Sequence, residues 1–201
     1  LIVQYILSLA DEKPKATNLA SSGKIDLNKQ KPGLLNDRYI LIASYTDQGG
    51  NQVGPLEARD VVVLRRPTIL AAAFDAVDKA QKYELKAGQA PGITQDMEIV
   101  IGASGGYVAY NDIDLTGIGS ITLTGSAPAS FMAGGVVDFH LDAADGPVIG
   151  SANIETRDGM AAAMFNRPVA IQKTDGVHNL YLTFTSATGE GSVCTLTMLS
   201  F

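Results

Sequence analysis

Three segments of the chain repeat one pattern. Val137, Phe139 and Leu141 alternate with Asp138, His140 and Asp142, Ile121 and Leu123 alternate with Thr122 and Thr124, and Leu180, Leu182 and Phe184 alternate with Tyr181, Thr183 and Thr185. Side chains of a strand point to its two faces in turn, so this period of two predicts strands with one face in a core and one in water. Breaks at Gly105-Gly106, Gly117, Gly134-Gly135, Asp145-Gly146-Pro147, Asp175-Gly176 and Gly189–Gly191 punctuate the pattern. Short strands at such regular spacing predict an antiparallel β-sandwich or jelly roll. The last strand, Val193–Phe201, ties the end of the chain into a sheet.

The first third reads differently. Leu1, Ile2, Tyr5, Ile6 and Leu9 form an apolar stripe at helical spacing that ends before Lys13-Pro14. Residues 14–23 are small and polar, a linker. Lys24–Leu27, Arg38–Thr46 and Asp60–Leu64 are rich in β-branched or aromatic residues and predict strands, with turns at Lys31-Pro32-Gly33 and Gln48–Asn51. Arg65-Arg66-Pro67 marks the next boundary. The chain is therefore all-β with a short N-terminal helix: a helix over 1–13 left from a preceding domain, a small β connector over 14–66, and the sandwich over 67–201. Ala71–Gln81 is alanine-rich, which predicts a strand at its start and a helical turn over Phe74–Ala80.

Composition narrows the functions. With 46% hydrophobic and 18% charged residues, the 201-residue chain can bury a core. Its net charge of −6, with no cluster of cations, excludes nucleic acid as a partner. No apolar run reaches the roughly 18 residues a spanning helix needs, so no membrane insertion is expected. A chain starting at Leu1 is expected to be a piece of something longer.

Candidate chemistry is sparse. His140 and His178 lie on separate expected strands without a partner at helical ligand spacing. Asp112 and Asp114 share a strand face and read as solvated. Asp142, Asp145 and Gly146 open like a calcium loop, but Pro147, Val148 and Ile149 follow and no acid closes it, so it reads as a turn. Gly102–Gly106 lacks the lysine and helix of a phosphate loop and reads as a hairpin turn. Cys194, with no adjacent cation, reads as a buried inert thiol. A hydrolase working through Asp112 or Asp138 has no supporting motif, and no enzyme activity is expected.

From Pro67 onward the chain resembles the family 6 carbohydrate-binding modules. The resemblance rests on Ser104–Leu115 (SGGYVAYNDIDL), similar to the family's Asn-Gly-Asp-Trp-Val-x-Tyr-x-x-Val-Asp-Phe. It continues through Gly150–Ile154 (GSANI), Asp175–Phe184 (DGVHNLYLTF) and Leu196–Phe201 (LTMLSF), the last similar to Leu-Asp-Trp-Phe-x-Phe. It implies a non-catalytic module that docks a partner enzyme onto polysaccharide. The resemblance implies a loop site for glycan at Ser104, Met160 and Thr195 and leaves open a second site on the sheet face, found in some relatives. Met160 stands near the family's stacking Trp and Thr195 near its Asn, and no aromatic lies between Lys86 and Gly106, where a stacking Tyr is usual. The family's structural calcium draws on two carboxylates whose positions hold Ala72 and Thr197, so no bound calcium is expected. Ile2–Leu9 looks like the last helix of a class I c-type cytochrome, and Tyr39–Asp47 with Pro55–Arg65 looks like the connector after such a domain. Heme is then expected only in a covalently linked upstream domain. The expected function is an extracytoplasmic accessory module, with a degenerate loop site, for polysaccharide or another glycan. The alternative is a structural or protein-interaction sandwich that has lost glycan binding.

Overall fold

Alternation of buried and exposed positions places most of the described residues in strands. The computed structural model describes residues 38–49, 54–65, 67–89 and 93–201. The expected N-terminal helix, the linker and the strand at Lys24–Leu27 lie outside them. Two units divide between residues 66 and 67. In the first, β1 (Arg38–Thr46) and β2 (Glu57–Arg65) pair antiparallel from Arg38↔Arg65 to Thr46↔Glu57. The Asp47 carboxylate closes this ribbon, accepting the N–H groups of Gly49 and Leu56 at 2.8 Å each. The bond from Leu56, then that from Gly49, holds its carboxyl below the usual range.

The second unit contains β3 (Thr68–Leu70), β4 (Ala76–Asp78), β5 (Gln81–Leu85), β6 (Met97–Ala103), β7 (Tyr107–Asp114), β8 (Ser120–Ser126), β9 (Gly135–Leu141), β10 (Val148–Ile154), β11 (Met164–Ala170), β12 (Val177–Ser186) and β13 (Ser192–Ser200). They form two antiparallel sheets. One has the order β10-β9-β12-β7-β4, and the other β11-β8-β13-β6-β5 with β3 added beside the end of β13. Tyr110, Val137, Phe139, Leu180, Leu182 and Phe184 from the first sheet and Val100, Ile121, Leu123, Leu196 and Leu199 from the second fill one core. This is the antiparallel sandwich that the period-two pattern implies.

Two local expectations are corrected. Gly102–Gly106 is not a hairpin turn, because β6 and β7 belong to different sheets. The segment is an arch between layers, tied to β12 by Gly105 N–H donating to the Phe184 carbonyl (2.8 Å) and Phe184 N–H donating to Gly106 (3.0 Å). A tight turn in sequence carries no mark of whether its flanking strands pair or separate. Nor is there a helical turn over Phe74–Ala80, where β4 pairs with β7 instead. Ala71 N–H donates to the Thr197 carbonyl (2.9 Å), Asp75 N–H to Ala109 (2.8 Å) and the Tyr110 hydroxyl to Ala71 (2.7 Å). These cross-strand bonds outweigh alanine's helical preference. Ala71 and Ala72 are buried, and their small size suits close packing.

Gly102 lets β6 settle onto the Phe184 ring, since a methyl group there would overlap three of its carbons. Gly102→Ala should destabilise the module by about 1–3 kcal/mol, lowering the denaturant midpoint without changing the slope. Adding Phe184→Leu should cost less in that background than in the parent, a coupling a double-mutant cycle measures.

Candidate functional site

The outer face of the five-stranded sheet is built in rows that cross its strands. Asp78 pairs with Tyr107, Tyr107 with Thr183, Thr183 with Asp138, and Asp138 with Ser151. The neighbouring row runs through Ala109, Tyr181 and His140. Because successive side chains alternate, these positions face away from the core that Leu182 and Phe184 enter. The rings of Tyr107 and Tyr181 pack with centroids 5.4 Å apart and planes tilted by 56°. Beside them Tyr107, Asp138, His140, Asp145, Thr183 and Thr185 line an open depression of about 420 Å³. His140 is fixed at both nitrogens: Nδ1 donates to the Gly146 carbonyl (2.8 Å), and Nε2 bonds the Thr183 hydroxyl (3.1 Å). The Ser151 hydroxyl donates to Asp138. The arrangement offers aromatic surface, oriented hydroxyls and carboxylate acceptors in one place, with the polar groups already held.

The three loop-site positions have different settings. Ser104 is in the β6–β7 arch, where its hydroxyl donates to the Gly189 carbonyl and accepts the Ser186 N–H, both at 3.2 Å. Thr195 is only 7% exposed within β13. Its hydroxyl bonds that of Ser126 (2.8 Å). Met160 is 36% exposed in the β10–β11 loop. An open aromatic ring does stand at this end of the sandwich. Phe131, 56% exposed, comes from the β8–β9 loop, which Ala129 N–H ties to the Arg157 carbonyl in the Met160 loop at 3.0 Å.

The remaining candidates have structural partners. Asp112 lies at a left-handed position (φ 56°) in β7 near Asn179, whereas Asp138 lies across from Thr183. Four residues of β12, about 13 Å, separate these levels, too far for a carboxylate pair. Asp114 accepts the Thr116 N–H (3.0 Å), and its bonds to the side chain and then the backbone of Thr116 hold its carboxyl below the usual range. Cys194 is fully buried, and burial pushes its thiol up to about 12. His178 Nδ1 lies 3.0 Å from Asp142 Oδ2, and Asn179 N–H donates to Asp142 Oδ1 (3.0 Å). That contact, its hydrogen bond first, raises the imidazole above 6.5 and lowers Asp142 below 3.8.

The family described as "Carbohydrate binding module (family 6)" has a model that matches residues 75–201. The chain belongs to this family. Solved modules share the fold. A β-1,3-glucan binding family 6 module from Bacillus halodurans superposes with a TM-score of 0.55 at 18% identity, covering 67% of this chain and 93% of that one. A family 6 module from Clostridium cellulolyticum, in complex with xylose, gives 0.52 at 20% identity over 67% and 95%. A family 43 arabinoxylan arabinofuranohydrolase from Bacillus subtilis, in complex with cellotetraose, gives 0.54 at 21% identity, covering 76% of this chain and 30% of that one. No curated protein sequence matches. The family is one of non-catalytic binding modules, and no helix among the described residues is long and apolar enough to cross a membrane.

Tyr107 and Tyr181 lie within the segments that carry the family resemblance, yet the sequence did not pick them out. Tyr181 was legible as an aromatic on the wet face of an alternating strand. Its pairing with Tyr107 needs the β7–β12 register.

The family's structural calcium does not fit the residues present here. Ala72 offers a methyl group, the Thr197 hydroxyl donates to the Thr124 carbonyl (3.0 Å), and the Ala71 carbonyl accepts the Tyr110 hydroxyl. Calcium needs six to eight oxygens, several of them anionic. Among the described residues no group of three His, Cys, Asp or Glu could hold a metal.

Two outcomes follow. The thermal unfolding midpoint should be the same in about 1 mM calcium and in chelator, whereas a micromolar site would add about 4 kcal/mol. The raised His178 contributes stability fully below pH 6.5 that is lost as pH rises through its folded value, and the lowered Asp142 contributes stability above pH 3.8 that is lost as pH falls through its own. The pair therefore acts between those values. From about pH 5 to about pH 8, the parent midpoint should fall more than that of Asp142→Asn.

Proposed function

We propose that the module holds a neutral glycan against the outer face of its five-stranded sheet and so keeps a larger extracytoplasmic protein near its polysaccharide. The Tyr107–Tyr181 ring pair beside the depression carries this reading. Sugar rings present C–H faces that pack on aromatic surface, and their hydroxyls donate well to carboxylates. Asp78, Asp138 and Asp145 supply such acceptors, and the same charges disfavour a uronate there. Weak affinity suffices for this role, since a tethered module works by raising effective concentration. The cytochrome-like segment and connector support an upstream heme-bearing or dehydrogenase-linked domain, joined covalently. The Bacillus subtilis hydrolase gives a precedent, the matched fold forming 30% of that chain.

In the loop site, Met160 and the neighbouring Phe131 offer apolar surface, while Ser104 and Thr195 spend their hydroxyls internally. That occupation favours the second reading for this end: an interaction sandwich that kept its fold and lost its loop glycan site.

Affinity electrophoresis against xylan, β-glucan and agarose separates the two. The parent should be retarded by at least one neutral polymer, and Tyr181→Ala should weaken retention about tenfold or more, about 1.4 kcal/mol, with its unfolding midpoint nearly unchanged. Free migration in every neutral gel would favour the interaction reading.

A further inference from the structure

The lateral edge of the sandwich, where edge strand β10 of one sheet meets edge strand β11 of the other, contains a cleft of about 220 Å³. Arg157, Arg167, Glu155, Phe165 and Asn166 line it. In β11, Phe165, Arg167 and Val169 share the side that faces the opposite layer: Val169 is buried, Phe165 packs against the core, and Arg167 falls where the layers open. Arg157 comes from the β10–β11 loop, whose backbone is pinned by Arg157 N–H donating to Ala127 (3.1 Å) and its carbonyl accepting from Ala129 (3.0 Å). Lys82, Lys86 and Lys173 each reach a carboxylate. Neither guanidinium has a side-chain partner among the described residues, although Glu155 shares the cleft. Arg157 and Arg167 thus line one cavity with neither guanidinium neutralised by a side chain among the described residues.

We propose that this edge cleft binds the acidic group of a saccharide, a uronate carboxylate or a sulfate ester, between Arg157 and Arg167. Guanidinium presents a planar fork of donors that matches such anions in a bidentate way. The sugar ring then lies along Phe165. Glu155 opposes the anion and sets the affinity low. The inference rests on the carbohydrate-binding assignment of the family, and it uses a surface apart from the tyrosine face.

The test is affinity electrophoresis of the full chain in gels containing polygalacturonate and, separately, a sulfated galactan, which also tells the two anions apart. Retardation is expected in at least one gel, weakening as salt is added. The double variant Arg157→Ala with Arg167→Ala should lose at least about tenfold in affinity. The charge-preserving pair Arg157→Lys with Arg167→Lys should also weaken binding, and Glu155→Gln should strengthen it. Free migration of the parent in both gels, undiminished retention of the double alanine variant, or equal retention of the lysine pair would overturn the proposal. The arginine variants should keep any retention in neutral gels, and Tyr181→Ala should keep retention in acidic ones, so failure of one surface is separable from failure of the other.

Discussion

Phe184 lies under the middle of the five-stranded sheet with 1% of its surface exposed, and its ring occupies the space that Gly102 leaves on the facing strand. The layers meet there backbone to ring. The consequence reaches the outer surface, because the arch after Gly102 is tied to the backbone of the same phenylalanine through Gly105 and Gly106. Tyr107 follows at once and pairs with Thr183, the residue before Phe184. The position of the Tyr107 ring over Tyr181 is thus fixed from beneath, by how closely two sheets pack. A site built this way needs few ordered loops, since the strands that bury the core also aim the outer side chains.

Period-two alternation made the sandwich legible, because burying one face of a strand forces its hydrophobic and polar residues into register. It also placed Tyr181, Thr183 and Thr185 on a wet face. The arch at Gly102–Gly106 was not legible, for pairing partners are set by long-range register that a glycine pair does not encode. The misreading of Phe74–Ala80 has a related cause. Alanine's helical preference is a few tenths of a kcal/mol per residue, whereas the cross-strand bonds of Ala71, Asp75 and Tyr110 are contributed by residues far along the chain. The edge cleft was least visible, since Arg157 and Arg167 line one cavity only because β10 and β11, edge strands of different sheets, lie side by side.

The absence of a carboxylate at Ala72 and at Thr197 fits the way the neighbouring oxygens are used. Once the Ala71 carbonyl accepts a tyrosine hydroxyl and the Thr197 hydroxyl donates to Thr124, the region is held by neutral hydrogen bonds between strands. Such bonds satisfy buried polar atoms without gathering anionic ligands around an ion. β3 and β13 are joined there, a task in which a cation would have no further part.

The surfaces proposed for ligand differ in sign. Asp78, Asp138 and Asp145 belong to the sheet face, and Arg157 and Arg167 to the edge. Asp138 pairs with Ser151 on β10, and the edge cleft begins near Glu155, four residues or about 13 Å further along. Screening at physiological ionic strength reduces the field of an exposed charge within about 8 Å. Repulsion from the face therefore reaches the edge weakly, and each surface can select its own sugar chemistry. A polysaccharide of uniform charge would occupy one surface, while a chain mixing neutral and acidic units could bridge both and gain from the second contact being intramolecular.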